Sequence, residues 1–378
     1  MELETLNLTR FRNYSGAEAA FHPDCNVLTG ANAQGKTNLL EAIVCLSGVK
    51  PPRVRADRDM IQFDAENASI SAQIRARGRT YAVEIRLSRD GRRRITVNGV
   101  HVRTPAELRE RFHTVLFRPE DLLLIRDAPA TRRHFLDTAL SQLRPRYADA
   151  LAYYQAALAR KSRILRDAAE HPGLLRTLPD FSAQMIRYGA VLVRYRAHYV
   201  QRLNEYAARH HAACSGGKEE LAVSYHTVST VTDPSAPEAV IREQLQRHME
   251  AHERAESAAK QCLSGAHRDD LSITVDGRDA RAWASQGQTR TAALALKLAE
   301  REILRNASGE YPVLLLDDVL SELDPARQSY VLREIEGGQR FLTCCEDDRL
   351  SDMPPGQVYR VRNGCLSLEN HESRQNGV

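Results

Sequence analysis

Nowhere do these 378 residues reach the ~20 consecutive apolar positions of a membrane span, so a helical membrane protein is excluded. The N-terminus, MELETLNLTRF, lacks the basic, apolar and small-residue zones of a secretory signal, and a cytoplasmic chain is expected. Cysteine is sparse. Cys25, Cys45, Cys214, Cys262, Cys344, Cys345 and Cys365 are odd in number and hold no C-x-x-C pair, which argues against a disulfide framework and a zinc site alike. Lysine is scarcer still: six against 47 arginines, with a net charge of only +4. Arginine pairs with phosphate through a planar fork, so the excess suits a nucleic-acid partner, although genome composition produces the same bias. There is no internal repeat and no low-complexity tract, only a polar tail after Leu368 that is expected to be disordered. The length favours two lobes over one core.

What is present centres on Val27–Ala42, VLTGANAQGKTNLLEA. Gly30, Ala31, Asn32, Ala33, Gln34, Gly35, Lys36 and Thr37 fit G-x-x-x-x-G-K-[ST] at every position. Residues 25–29 read as a short apolar strand, and 38–46, opening on Asn38, as a helix that closes at Gly48. A strand, a glycine turn and a helix N-terminus aim backbone N–H groups and the positive end of a dipole at phosphate oxygens. In that setting Lys36 reaches the β- and γ-phosphates, and the Thr37 hydroxyl binds Mg²⁺. A nucleoside triphosphate is the expected ligand.

Residues 3–8 and 18–28 read as strands leading into this loop, separated by Phe11-Arg12-Asn13-Tyr14. Alternating runs at 68–75, 80–87 and 94–97, with hairpin signals at Arg89-Asp90-Gly91 and Asn98-Gly99, predict an antiparallel sheet with arginines on its outer face. Residues 114–125 return to a buried strand and a turn. Helical periodicity then dominates, over 131–142, 146–169, 180–213 and 236–262, with one short strand at 220–226. Met185, Tyr188, Leu192, Tyr195 and Tyr199 form a stripe expected to pack in the core.

Tyr311–Asp318 is an apolar strand ending in two acids, which puts carboxylates at the ligand edge of a parallel sheet. Asp317 suits Mg²⁺ coordination and Asp318 the polarisation of an attacking water. Ser285-Gln286-Gly287-Gln288 precedes a strong helix, where Ser285 suits an N-cap and Gly287 leaves backbone exposed. One phosphate loop has no need of a second anion site, so two copies facing head to tail would complete each other.

Phosphate loop, S-x-G-Q before a helix, LLLDD and SELD, in that order, resemble the ABC-type, SMC-like ATPase head. More closely, FRNY (11–14), GANAQGKTNLLEA (30–42), FRPEDLLLI (117–125), TRRHFLD (131–137), SGAHRDDL (264–271), SQGQTRTAALALKLAE (285–300) and LLLDDVLSELD (314–324) resemble the RecF family. The resemblance implies an α/β fold: a P-loop ABC-type head with a mixed sheet plus an antiparallel sheet, and an inserted helical lobe. Lobe I would begin in 1–130, the helical lobe II would be 131–260, and 261–378 would carry the signature motif and the acid strand. It implies ATP and Mg²⁺ as cofactors, Arg12 as a contact to nucleotide phosphate, Ser285 and Gly287 reaching the γ-phosphate held by a second protomer, and Gln288 as a further catalytic residue. It further implies weak, DNA-dependent ATP hydrolysis, an ATP-dependent homodimer on duplex, gapped or junction DNA, and RecR and RecO as partners. The implied roles are recombinational repair, replication restart, SOS induction and recombinase loading.

The chain departs from related heads in four places, the first being the signature, SQGQ at 285–288 where the common form is SGGQ. Asp318 is one methylene shorter than the usual glutamate, which implies slow hydrolysis. Val115 lies near the usual loop glutamine, with Glu120 or Asp121 as possible substitutes. Thr343 or Cys344 occupies the region of the usual histidine. The rival readings are a transporter ATPase subunit, a P-loop small-molecule kinase, and a scaffold that binds ATP without turnover.

Overall fold

The computed structural model describes residues 1–335, 337–345 and 356–369. Beyond Glu369, the tail expected to be disordered lies outside the described residues. The chain forms two units, Met1–Leu122 with Lys297–Val378, and Leu123–Leu296. Residues 261–296, which carry the signature motif, cluster with the second.

The first pass through unit one gives β1 (Glu2–Phe11), β2 (Tyr14–Ala20), β3 (Cys25–Thr29), α1 (Lys36–Leu46), β4 (Asn67–Ala76), β5 (Arg79–Ser88), β6 (Arg93–Val97), β7 (Val100–Val102), the single turn α2 (Ala106–Arg109) and β8 (Thr114–Phe117). The second unit holds α3 (Pro129–Leu143), α4 (Pro145–Asp167), α5 (Leu178–Ser215), β9 (Leu221–His226), α6 (Glu238–Ala259), β10 (Asp270–Val275), β11 (Arg278–Asp279) and the turn α7 (Ala280–Trp283). The long α8 (Gln286–Ser308) then leads back to β12 (Val313–Asp317), α9 (Pro325–Ser329), β13 (Arg340–Cys344), β14 (Gln357–Arg362) and β15 (Cys365–Leu368).

Unit one stacks two kinds of sheet. The antiparallel sheet runs β2-β1-β4-β5-β6-β7, and alternation along β4 buries Ile70 and Ile74 while Ser69 and Gln73 face outward. The mixed sheet runs β15-β14-β3-β13-β12-β8, parallel except for the terminal hairpin. β12 is buried at all five residues, as expected for a strand flanked by parallel neighbours. From Leu39 onward α1 is apolar except at Glu41 and buried at every residue, with Leu39, Leu40 and Ile43 at most 1% exposed. Each such side chain contributes about 1.5–3 kcal/mol of burial free energy.

The strand expected over 18–28 is two strands in two sheets. β2 ends at Ala20 and β3 begins at Cys25, with the Pro23-Asp24 turn between them. Phe21 anchors the crossing, its ring edge-on to Phe341 at 4.8 Å and to Tyr359 at 5.4 Å. In the expected tyrosine stripe, Met185, Leu192 and Tyr199 are buried, whereas Tyr188 and Tyr195 are only half-buried. The hairpin β14–β15 carried no helical or strand expectation at all. Among the described residues no helix is long and apolar enough to cross a membrane.

Candidate nucleotide-binding site

The strand order β3-β13-β12 brings the loop after β3 and the acids ending β12 to the same edge of one sheet, with β13 between them. Gly30 and Gly35 adopt φ of +142° and +124°. A Cβ on Gly30 would lie 2.3 Å from the Val361 carbonyl oxygen, and one on Gly35 would lie 2.7 Å from the Asn13 amide, so both positions require glycine. No side chain among the described residues caps α1, which leaves its first-turn amides directed at the loop.

The loop is braced from outside. Tyr14 Oη donates to the Gly35 carbonyl at 3.0 Å, and Asn13 Nδ2 donates to the Gln34 carbonyl at 2.7 Å. The Gly364 N–H donates to that same carbonyl at 3.0 Å, and the Asn363 N–H to Gln34 Oε1 at 2.7 Å. Asn38 Nδ2 closes the circuit on Asn13 Oδ1 at 2.8 Å. Burial pushes the Tyr14 phenol well up, so it stays a neutral donor. Two hairpin turns, β1–β2 and β14–β15, therefore hold the loop's shape. Lys36 Nζ donates to the carbonyls of Gly30 and, at 3.3 Å, Ala31, and lies 4.0 Å from Cys345 Sγ.

Across the crevice, Asp317 is buried and its Oδ1 accepts from the hydroxyls of Thr37 and Thr343, each at 3.0 Å. Burial raises its carboxyl above the usual range, while the two hydroxyl donors pull it back. Asp318 is left-handed at φ +54°; its N–H donates to Thr343 Oγ1 at 2.7 Å and its carbonyl accepts from Ser321 at 2.8 Å. Mg²⁺ prefers oxygen ligands and is held through one or two side chains together with phosphate. The Thr37 hydroxyl and Asp317 carboxylate, already in contact, fit that donor set.

Other expected site residues stand elsewhere. Arg12 engages Glu41 of α1, with Nε at 3.0 Å and Nη2 at 2.8 Å from Oε2, and its Nη1 donates to the Asp59 carbonyl at 2.6 Å. Ser285 and Gln288 cap α8 reciprocally: Ser285 Oγ accepts the Gln288 N–H at 3.2 Å, and Gln288 Oε1 accepts the Ser285 N–H at 2.9 Å. The Gly287 carbonyl accepts from Thr291. Val115 is buried inside β8, Glu120 pairs with Arg53 at 3.1 Å, and Asp121 accepts the Arg118 N–H. At the end of β13, Thr343 and Cys345 contact site residues, while Cys344 is buried.

The site contacts of Asn13, Tyr14, Asn363 and Gly364 were not foreseen from the sequence, and Thr343, placed there only in the region of the usual histidine, is bonded to both Asp317 and Asp318. The Asn363-Gly364 pair is a hairpin signal between two short alternating runs and was readable as such.

Residues 2–365 match the family profile described as "RecF/RecN/SMC N terminal domain". The chain is 40% identical over 375 residues to the DNA replication and repair protein RecF of Symbiobacterium thermophilum, covering 98% of this chain and 99% of that one. Among solved structures, the recombination mediator protein RecF-ATPrS in the RecFOR pathway superposes with a TM-score of 0.90 at 32% identity, covering 98% of each chain. RecF-ATP of the same pathway gives 0.88 at 32% identity, covering 97% of each.

Proposed function

We propose that this chain, which belongs to the RecF family of SMC-like ATPase heads, is an ATP-dependent DNA-binding protein of recombinational repair. The observation that carries the reading is the contact between Thr37 and Asp317, 280 positions apart, beside a loop held in a phosphate-cradling shape. Support also comes from full-length relatives described with ATP and as a recombination mediator.

ATP supplies the phosphoanhydride bond. The amides of the Gly30–Thr37 loop and the Lys36 ammonium bind its phosphates, and Thr37 with Asp317 holds Mg²⁺. Asp318 polarises water from a short side chain, which makes turnover slow. Ser285 and Gly287 of a second copy meet the γ-phosphate, with Gln288 behind them. The nucleotide thereby acts as a clip between two protomers that opens on hydrolysis. DNA is held across the dimer chiefly through arginine–phosphate contacts, with steep salt dependence and little base preference. RecR and RecO are the partners, and replication restart, recombinase loading and SOS induction in the cytoplasm and nucleoid the setting.

Light scattering of the wild type and of Lys36→Met, with and without Mg-ATP, tests the clip. A dimer only for wild type with Mg-ATP, together with nucleotide-dependent DNA retention, is the expected result. A stably monomeric loaded form with unchanged DNA retention would overturn it.

A further inference from the structure

The second unit carries a groove that the nucleotide chemistry leaves unused. Helices α4, α5 and α6 frame a cavity of about 490 Å³ whose lining includes Arg146, Tyr153, Arg187, Tyr188, Glu238 and Arg242. The Tyr153 and Tyr188 rings are stacked, with centroids 5.0 Å apart and planes at 19°. Tyr153 is nevertheless 57% exposed. The buried stripe of α4 runs through Tyr147, Ala150, Tyr154 and Ala157, so Tyr153 lies off it and the core makes no use of its ring. With one face against Tyr188, the exposure belongs to the other face and the edge.

The lining is basic by one charge, Arg146, Arg187 and Arg242 against Asp149 and Glu238. Arg187 and Arg242 also border an adjoining cavity that holds Glu250, Glu253 and Glu256. The Arg187 guanidinium sits 5.4 Å from the Tyr188 centroid. Glu238 is matched by Arg146 at 2.8 Å and Arg194 at 4.0 Å, which leaves Asp149 as the remaining acid of the lining against Arg187 and Arg242. An open aromatic face beside phosphate-pairing forks is the arrangement that binds unpaired nucleotides, because every base has a π-face to stack. Duplex DNA keeps those faces inside its own stack. An acidic protein segment would engage the arginines but offer the tyrosine no flat partner.

We infer that this groove binds single-stranded DNA, an unpaired base extending the Tyr153–Tyr188 stack while Arg187 and Arg242 hold the flanking phosphates. The inference rests on the DNA-binding reading above and adds to it a place where single strand is told from duplex.

Fluorescence anisotropy of the full-length protein with labelled oligo-dT, a duplex of equal length and an abasic strand tests it. Tyr153→Ala is expected to weaken oligo-dT binding about tenfold and leave the duplex, the abasic strand and ATP hydrolysis unchanged. Tyr153→Phe, which keeps the ring, is expected to bind like wild type, and Arg187→Ala to weaken both single strands and flatten their salt dependence. Unchanged oligo-dT binding by Tyr153→Ala overturns the inference, as does an equal loss on oligo-dT and duplex. An acidic peptide that displaces no DNA yet loses affinity in Arg187→Ala reassigns the groove to a protein partner and overturns it too. A wild type that binds no DNA in any form overturns the DNA-binding reading itself, whereas duplex binding without the oligo-dT effect overturns only this one.

Discussion

Thr343 Oγ1 lies 3.0 Å from Asp317 Oδ1, so a hydroxyl on β13 is tied to the buried acid that ends β12. The same oxygen accepts the Asp318 N–H at 2.7 Å and holds a left-handed aspartate in place. Thr343→Val keeps the shape and removes both bonds. ATP turnover is expected to fall about 10–100-fold, as for other residues that orient a metal ligand, with the Mg²⁺ titration displaced to higher concentration. Thr343→Ser should recover most of both. Steady-state hydrolysis across a Mg²⁺ series decides, and an undisplaced titration would count against the positioning role.

Tyr14 supplies a buried donor to the Gly35 carbonyl at the turn of the phosphate loop. Tyr14→Phe removes one of the two donors to that carbonyl, the Leu39 N–H at 3.0 Å being the other, at a cost of about 0.5–1.5 kcal/mol. Because the loop is where the loss falls, nucleotide affinity should drop about two- to tenfold with little change in the unfolding midpoint of the second unit. Titration with a fluorescent ATP analogue, alongside chemical unfolding, separates the two.

Arg196 is the hub of a buried network in the second unit. It donates to Asp269 at 2.6 Å, Asp137 at 2.7 Å, the Tyr147 hydroxyl at 3.0 Å and the Ala266 carbonyl at 2.7 Å. Desolvation raises the Asp269 carboxyl, and Arg196 is the largest influence opposing it. Arg196→Met therefore strands a buried carboxylate, with an expected loss of about 3–5 kcal/mol. Adding Asp269→Asn should return part of it, which urea unfolding of the single and double variants measures.

His267 accepts from the Tyr154 hydroxyl at 2.8 Å through Nδ1 and faces the Cys262 carbonyl at 3.0 Å through Nε2. Desolvation lowers its pKa from 6.5 to about 4. A depressed imidazole binds its proton more readily in the unfolded chain. Its stabilising effect is thus complete above pH 6.5 and is lost as pH falls from there towards 4. Moving from pH 7 to pH 5 should cost about 1–2 kcal/mol, and His267→Gln should flatten that part of the profile. Unfolding curves at the two pH values, for both proteins, give the comparison.

Much of this molecule was legible in order along the chain, because helices, hairpins and the phosphate loop are written in neighbouring residues. The strand–loop–helix of Cys25–Leu46 and the acid-ended β12 needed no more than a dozen or so consecutive positions each. The S-x-x-Q spacing at Ser285 and Gln288 was also a readable capping box. The division of 18–28 between two sheets was not, since alternation states which faces are buried but not which sheet a strand joins.

From the one-dimensional pattern come the strand–loop–helix and the reactive side chains it carries. Which of those side chains meet depends on the order β3-β13-β12, a consequence of chain topology that no local period encodes. Thr343 reaches Asp317 and Gly364 reaches Gln34 because β13 pairs with β12 and β14 with β3, whereas Tyr14 reaches Gly35 from the other sheet. Hydrogen bonds act over about 3 Å, and only the assembled fold brings such distant positions within that reach.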